Sequence, residues 1–215
     1  RPVHGDEGPN LPLNEYRKRQ SMARKNTIIL TAGLAGSSVL TSIFAKSGYW
    51  TGDKTVKKRD YNTWENDGLV AHNLRILSQA GFDEDWEMEF RPDFIDTICG
   101  GFDSVDPEPI RAFIAECEPH APWIWKDPRL WLTIRYWKDF LDLSNTAFLV
   151  IRRDPMQAWI STTLRRQIQT FDYLRRYNDC IHETIIDFVR ENNASYVDIL
   201  YEDLIMKPEE ILEQV

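Results

Sequence analysis

A three-layer α/β domain, with a central parallel sheet and helices on both faces, is the fold this sequence predicts, and three observations carry it. Apolar runs of strand length alternate with segments of helical period. The best of these runs, Thr146 to Ile151, is unbroken, as a strand covered on both faces must be. Each run closes on glycine or charge and leads into a helix.

Thr27 to Ala32 form the first strand, Gly33 to Gly36 a glycine-bearing turn, and Ser37 opens a helix that sets Leu40, Ile43, Phe44 and Ser47 on one face. A strand, a loop of small residues and a helix N-terminus together make an anion cradle, because unpaired backbone N–H groups and the helix dipole converge on the loop. As a nucleoside-triphosphate loop it is incomplete: Thr31 stands at the first glycine position, and Ser37 where the phosphate-binding lysine belongs. Read alone, such glycines also serve close packing. Helices follow at Gly68 to Ala80 and at Pro109 to Cys117. Trp123 to Trp125 make a short strand ending at Lys126, and the next helix, Arg129 to Asp142, carries Leu130, Ile134, Trp137 and Leu141 on one stripe. Lys126, Asp127 and Arg129 thereby lie at the C-terminal edge of a strand, where open α/β sheets bind ligands, although a solvated charge cluster fits the same place.

The strand from Thr146 delivers Arg153, and Pro155 starts a helix running to Arg166. Ser161, about two helical turns along, comes back toward Arg153. Arginine offers a planar fork matched to phosphate oxygens and the serine hydroxyl adds a further donor, so the pair forms a phosphate site outside the triphosphate track. A surface ion pair beside a core-facing serine is the plainer reading of the two taken alone. Phe171 to Glu191 repeats Leu174, Tyr177, Ile181, Ile185 and Phe188 at helical spacing, and a late strand runs into Tyr201, Glu202 and Asp203 before a helix near Pro208.

Composition bounds the rest. The chain has 215 residues and is 42% hydrophobic, enough for one α/β core, and a single domain over 26–215 follows a polar arm over 1–25. Of its eight tryptophans, Trp50, Trp64 and Trp86 fall outside the expected strands and are candidates for an acceptor pocket. Three cysteines, Cys99, Cys117 and Cys180, are odd in number and far apart, which gives neither a disulfide framework nor a zinc site and points to a reducing, cytoplasmic setting. No apolar stretch approaches a membrane span, and the arm lacks a signal-peptide core. The Asn193-Ala194-Ser195 triplet matches a glycosylation sequon with nothing else pointing to secretion. A net charge of −8 excludes nucleic acid and large anionic polymers as partners while leaving room for a narrow basic cleft.

Four segments in this order, TAGLAGSS, KDPRL, RDP with Ser161, and YEDL, resemble the sulfotransferase family, in particular its bacterial branch with K-D-P-R-L before the middle helix. The stretch Gly48 to Leu77, with Trp64-Glu65 and His72-Asn73, is similar to the family's acceptor-side segment. The resemblance implies a P-loop-like fold and a sulfuryl donor, 3′-phosphoadenosine 5′-phosphosulfate, as co-substrate without a metal. It implies that Gly33, Leu34, Ala35, Gly36, Ser37 and Ser38 hold the 5′-phosphosulfate, that Arg153 and Ser161 hold the 3′-phosphate, and that Tyr201 lies near the adenine. Lys126 then stabilises the bridging oxygen as the S–O bond breaks, with Arg129 as its companion. The family's histidine base falls at Pro128, so the base comes from elsewhere, and Glu65 is preferred to His72.

Two departures accompany the resemblance. Leu34 stands where the loop normally carries a lysine or arginine, and the family's basic glycine-containing segment over the 3′-phosphate would fall beyond Val215. Arg152, Arg165 and Arg166, or the run Lys54, Lys57, Lys58 and Arg59, are candidates to supply the missing charge, although a run of this kind is ordinarily a solvated loop. The implied acceptor is a small molecule, carbohydrate or lipid bearing a hydroxyl or amine. Two other readings stand beside transfer: a nucleotide-binding protein of the same fold without activity, and a P-loop kinase, for whose magnesium carboxylate only Asp127 is a candidate.

Overall fold

The structure, a computed structural model, describes residues 24–82, 93–164 and 169–214. Residues 1–23 of the expected arm lie outside them, as do Trp86, Arg165 and Arg166. In chain order the first elements are β1 (Asn26–Leu30), α1 (Ser37–Lys46), β2 (Thr55–Lys57), β3 (Asn62–Asn66), α2 (Asp67–Gln79), α3 (Phe94–Gly100) and α4 (Glu108–Cys117). There follow β4 (Ile124–Lys126), α5 (Leu130–Trp137), β5 (Thr146–Arg152), α6 (Pro155–Leu164), α7 (Phe171–Glu191), β6 (Tyr196–Leu200), α8 (Tyr201–Met206) and α9 (Pro208–Leu212).

The central sheet is parallel, in the order β4-β1-β5-β6. Side chains alternate across it: Ile28, Leu30, Trp125, Phe148 and Val150 enter one core, while Ile29, Ile124, Leu149, Ile151 and Ile199 enter the other. Residues from α2, α4, α5 and α7 close the first core, and Leu40 and Phe44 of α1 with Leu204 of α8 close the second. Burial on both faces is the reason the strands read as continuous apolar runs. The rings of Trp125, Trp131 and Trp137 are fully buried. Each removes on the order of 200 Å² from water, roughly 5 kcal/mol of burial at ~25 cal/mol per Å².

The expected elements are present, with shifted ends. Thr31 leaves the sheet because its Oγ1 accepts the Gly33 N–H at 3.2 Å, so β1 stops at Leu30. Lys126 stands opposite Ile29 within β4, not beyond it. The middle helix ends at Trp137, five residues short of Asp142, where i to i+3 bonds such as Phe140 N–H to Trp137 O at 3.0 Å tighten the chain. Asp142 is extended and caps the following turn, its carboxylate accepting the Ser144 N–H at 3.0 Å. On α1 the buried face holds Ser37, Leu40, Thr41 and Phe44, whereas Ser47 is the exposed C-cap.

The last strand stops at Leu200, and Tyr201, Glu202 and Asp203 open α8 instead of extending it. Besides α8, one helix and one hairpin were not expected. One is α3, whose Phe94 and Ile98 reach the first core. The other is the antiparallel β2–β3 hairpin, which packs against α1 and β4 and positions half of the site.

Candidate active site

A cleft of about 640 Å³ opens at the C-terminal edge of the sheet, and the loop between β1 and α1 forms its floor. Three residues of that loop have left-handed backbone, Gly33 at φ 89°, Leu34 at 52° and Gly36 at 81°. Among the described residues, none of the N–H groups of Leu34 to Ser38 has a backbone or side-chain acceptor, and of the expected loop residues Ala35 alone does not line the cleft, its side chain packing in the second core. The first turn of α1 carries no acidic residue, so its dipole is left to act on whatever enters the cleft. Gly36 is required twice over, by its φ and by the Tyr201 ring, since a Cβ there would lie 2.0 Å from Tyr201 Cδ2.

β4 and β5 flank β1 on opposite sides, and each flank of the loop therefore receives its own charged group. On the β5 side, Asp154 accepts the N–H groups of Met156 and Gln157, both at 3.0 Å, and with Pro155 in the first turn it starts α6. Arg153 and Ser161 both line the cleft as a result. Glu202 at the start of α8 fixes this corner: its Oε2 accepts the Asp154 N–H at 3.0 Å and its Oε1 lies 3.6 Å from Arg153 Nε. The Arg153 guanidinium sits 5.1 Å from the centre of the Tyr201 ring.

On the β4 side, Lys126 Nζ donates to Glu65 Oε1 at 2.5 Å, to Thr63 O at 3.4 Å and to Ser38 Oγ at 3.5 Å. The pair is nearly enclosed, with the two side chains 7% and 13% exposed. Glu65 is reached through an irregular strand. A regular strand turns alternate residues away, yet Asn62, Thr63, Trp64 and Glu65 all line the cleft. Trp64 breaks the alternation with φ 60°, and Asn62 Oδ1 holds its N–H at 2.9 Å. Glu65 thus belongs to β3, and the cap of α2 is Asn66, whose Oδ1 accepts the N–H groups of Gly68 and Leu69.

The remaining candidates lie elsewhere. Arg129 is folded back on the wholly buried Asp127, which accepts its N–H at 2.8 Å and its guanidinium at 3.1 and 3.3 Å. Burial pushes the Asp127 carboxyl above its ordinary range, while the Arg129 charge pulls it down. That carboxylate is committed to the protein's own charge, and neither residue lines the cleft. His72 on α2 packs its ring 4.8 Å from Phe113 and 6.3 Å from Trp137, away from the cleft, and burial holds its imidazole below the ordinary value. Trp50 stacks on His120 at 4.4 Å and bridges to Trp123 at the sheet edge; of the two described candidates for an acceptor wall, only Trp64 lines the cleft. Arg152 pairs with Asp198 at 3.3 Å outside it.

Of the basic run named as a source of the missing charge, Lys58 faces the cleft; Tyr61 beside it was not anticipated, nor was the lining role of Leu174 and Tyr177, which the helical repeat of α7 alone does not reveal. No periodicity marks the hairpin. Among the described residues, no group of three or more His, Cys, Asp or Glu could hold a metal ion, and no helix is long and apolar enough to cross a membrane.

Comparison with known proteins supplies the family. The model of the sulfotransferase family matches residues 38–215, beginning at the last residue of the cradle, the second of α1. Among solved structures, the sulfotransferase domain of the olefin synthase from Synechococcus PCC 7002 is similar at a TM-score of 0.52 and 18% identity, over 87% of this chain and 70% of that one. No curated protein matches. The structural likeness is one of fold, whereas the family match spans most of the sequence, and on that match the chain belongs to the sulfotransferase family.

Proposed function

We propose that the protein transfers a sulfuryl group from 3′-phosphoadenosine 5′-phosphosulfate to a hydroxyl or amine of a small-molecule, carbohydrate or lipid acceptor. The observation that carries this reading is the presence, in one cleft, of an anion cradle flanked on one side by Arg153, Ser161 and Tyr201 and on the other by Lys126 and Glu65. The residues suit such a donor. Arg153 lines the cleft with Glu202 Oε1 held 3.6 Å from its Nε, beyond hydrogen-bond reach, so its guanidinium is a donor for a phosphate oxygen. The Tyr201 ring, held over Gly36, offers a flat surface for a base. The donor brings an activated sulfur whose bond to the bridging oxygen is ready to break.

The chain's own groups perform the rest. Amides of Leu34 to Ser38 hold anionic oxygens against the α1 dipole. Lys126, beside Ser38, places an ammonium where negative charge grows on the bridging oxygen. As the acceptor atom bonds to sulfur, its proton passes to Glu65, whose Oε2 has no hydrogen-bond partner among the described residues. The Lys126–Glu65 pair holds the two side chains adjacent at low exposure, so the group that stabilises departure and the base that assists attack are set side by side.

The test is a mass-spectrometric screen of hydroxyl and amine acceptors with this donor. The reading expects a sulfated product that disappears in Lys126→Ala. Tight donor binding with no product from any acceptor would replace it with that of a nucleotide-binding protein of the same fold.

A further inference from the structure

We infer that Lys58, at the tip of the β2–β3 hairpin, supplies the cation that the phosphate loop lacks at Leu34, and that it acts on the phosphosulfate end of the donor and not on the 3′-phosphate end. The inference rests on the proposed donor.

Charge within the cleft is the first argument. A donor carrying a phosphosulfate and a 3′-phosphate brings several negative charges, and among the described residues the cleft is lined by the cations Lys58, Lys126 and Arg153 and the carboxylate Glu65. Lys126 is already engaged by Glu65, and Arg153 by Glu202 just outside the lining. Lys58 makes no ion pair within the described residues, and its side chain belongs to an exposed residue. Among the described residues it is therefore the cleft cation whose charge the protein has least neutralised.

Topology is the second. The loop after β1 lies between β4 and β5. Arg153 and Ser161 come from the β5 side, whereas the hairpin packs on α1 and β4 and sends Thr63 and Glu65 to Lys126. Lys58 leaves the same hairpin from a turn closed by its own N–H on Tyr61 O at 2.9 Å, so it enters from the flank opposite Arg153. Lys54, Lys57 and Arg59, its neighbours in the same basic run, do not line the cleft. In the loop itself, residue 34 already adopts the left-handed conformation, at φ 52°, with leucine there, so a lysine at that position would need no new backbone.

The test is calorimetry with two probes, 3′-phosphoadenosine 5′-phosphate and adenosine 3′-phosphate. Lys58→Ala is expected to weaken the bisphosphate about tenfold and to make its affinity less sensitive to salt, leaving adenosine 3′-phosphate unchanged. Leu34→Lys in the Lys58→Ala background is expected to restore most of the loss. Unchanged bisphosphate affinity in Lys58→Ala, or equal losses for both probes, overturns the role of Lys58 while the donor reading stands. A wild-type chain that binds the bisphosphate no better than adenosine 5′-phosphate overturns both.

Discussion

On the Arg153 side of the loop, the cleft wall is made of regular strand-to-helix units; on the Lys126 side, it is made of a kinked hairpin laid beside β4. The first wall is local in sequence. Asp154, Pro155 and Ser161 follow Arg153 within one turn-and-helix, and its distant partners, Tyr201 and Glu202, are neighbours at the start of α8. The second is assembled from far apart, since Glu65 and Lys126 meet across 61 positions and depend on the left-handed backbone of Trp64. Local order makes the Arg153 wall readable, while the other wall rests on a hairpin docked against α1 and β4. On the proposed function, binding and chemistry fall on two kinds of construction, and substitutions on the two sides separate them.

The largest effect is expected at the irregular wall. Glu65→Gln should lower the transfer rate by roughly 10²–10⁴, the usual worth of a positioned base, with donor affinity held, as single-turnover kinetics beside calorimetry would show. Near-normal turnover in Glu65→Gln, with His72→Ala inactive, would move the base into the core. Lys126→Ala should cost about 10²–10³ in the same rate and little in donor affinity, because its interaction strengthens as charge develops. Collapse of binding with no further rate loss would make Lys126 a ground-state ligand and erase the division between the walls.

A smaller effect tests the junction. Gly36→Ala places a Cβ against Tyr201 at a left-handed position, and it should weaken the bisphosphate about tenfold with a lower melting temperature. The smallest effect concerns the kink. If the φ of 60° at Trp64 is what presents Glu65, Trp64→Gly should be more stable than Trp64→Ala by about 1 kcal/mol in denaturant melts, since only glycine adopts that conformation freely. Equal stability would mean that the strand relaxes once the indole is gone.

The same contrast explains what could be read in advance. Thr146 to Ile151, the Asp154-Pro155 start and the spacing to Ser161 announce themselves because apolar runs, capping chemistry and helical period are local signals. The glycine turn before α1 was legible for the same reason. The hairpin was not: Asn62 to Asn66 is mostly polar, its alternation is broken at Trp64, and β2 is three residues long. Glu65 could be named from the family resemblance, but its contact with Lys126 depends on where the hairpin docks. Arg129 and Asp127 show the converse, for two charges beside a catalytic candidate turn out to satisfy each other in the core.

The most direct test of the proposed donor is a calorimetric comparison of 3′-phosphoadenosine 5′-phosphate, adenosine 5′-phosphate and ATP, on the unmodified protein and on Arg153→Ala. The account predicts a clear preference for the bisphosphate in the first and its loss in the second, by roughly ten- to a hundredfold, as one charge-assisted contact is worth about 1.5–3 kcal/mol. Equal affinity for the bisphosphate and adenosine 5′-phosphate in the unmodified protein would contradict it.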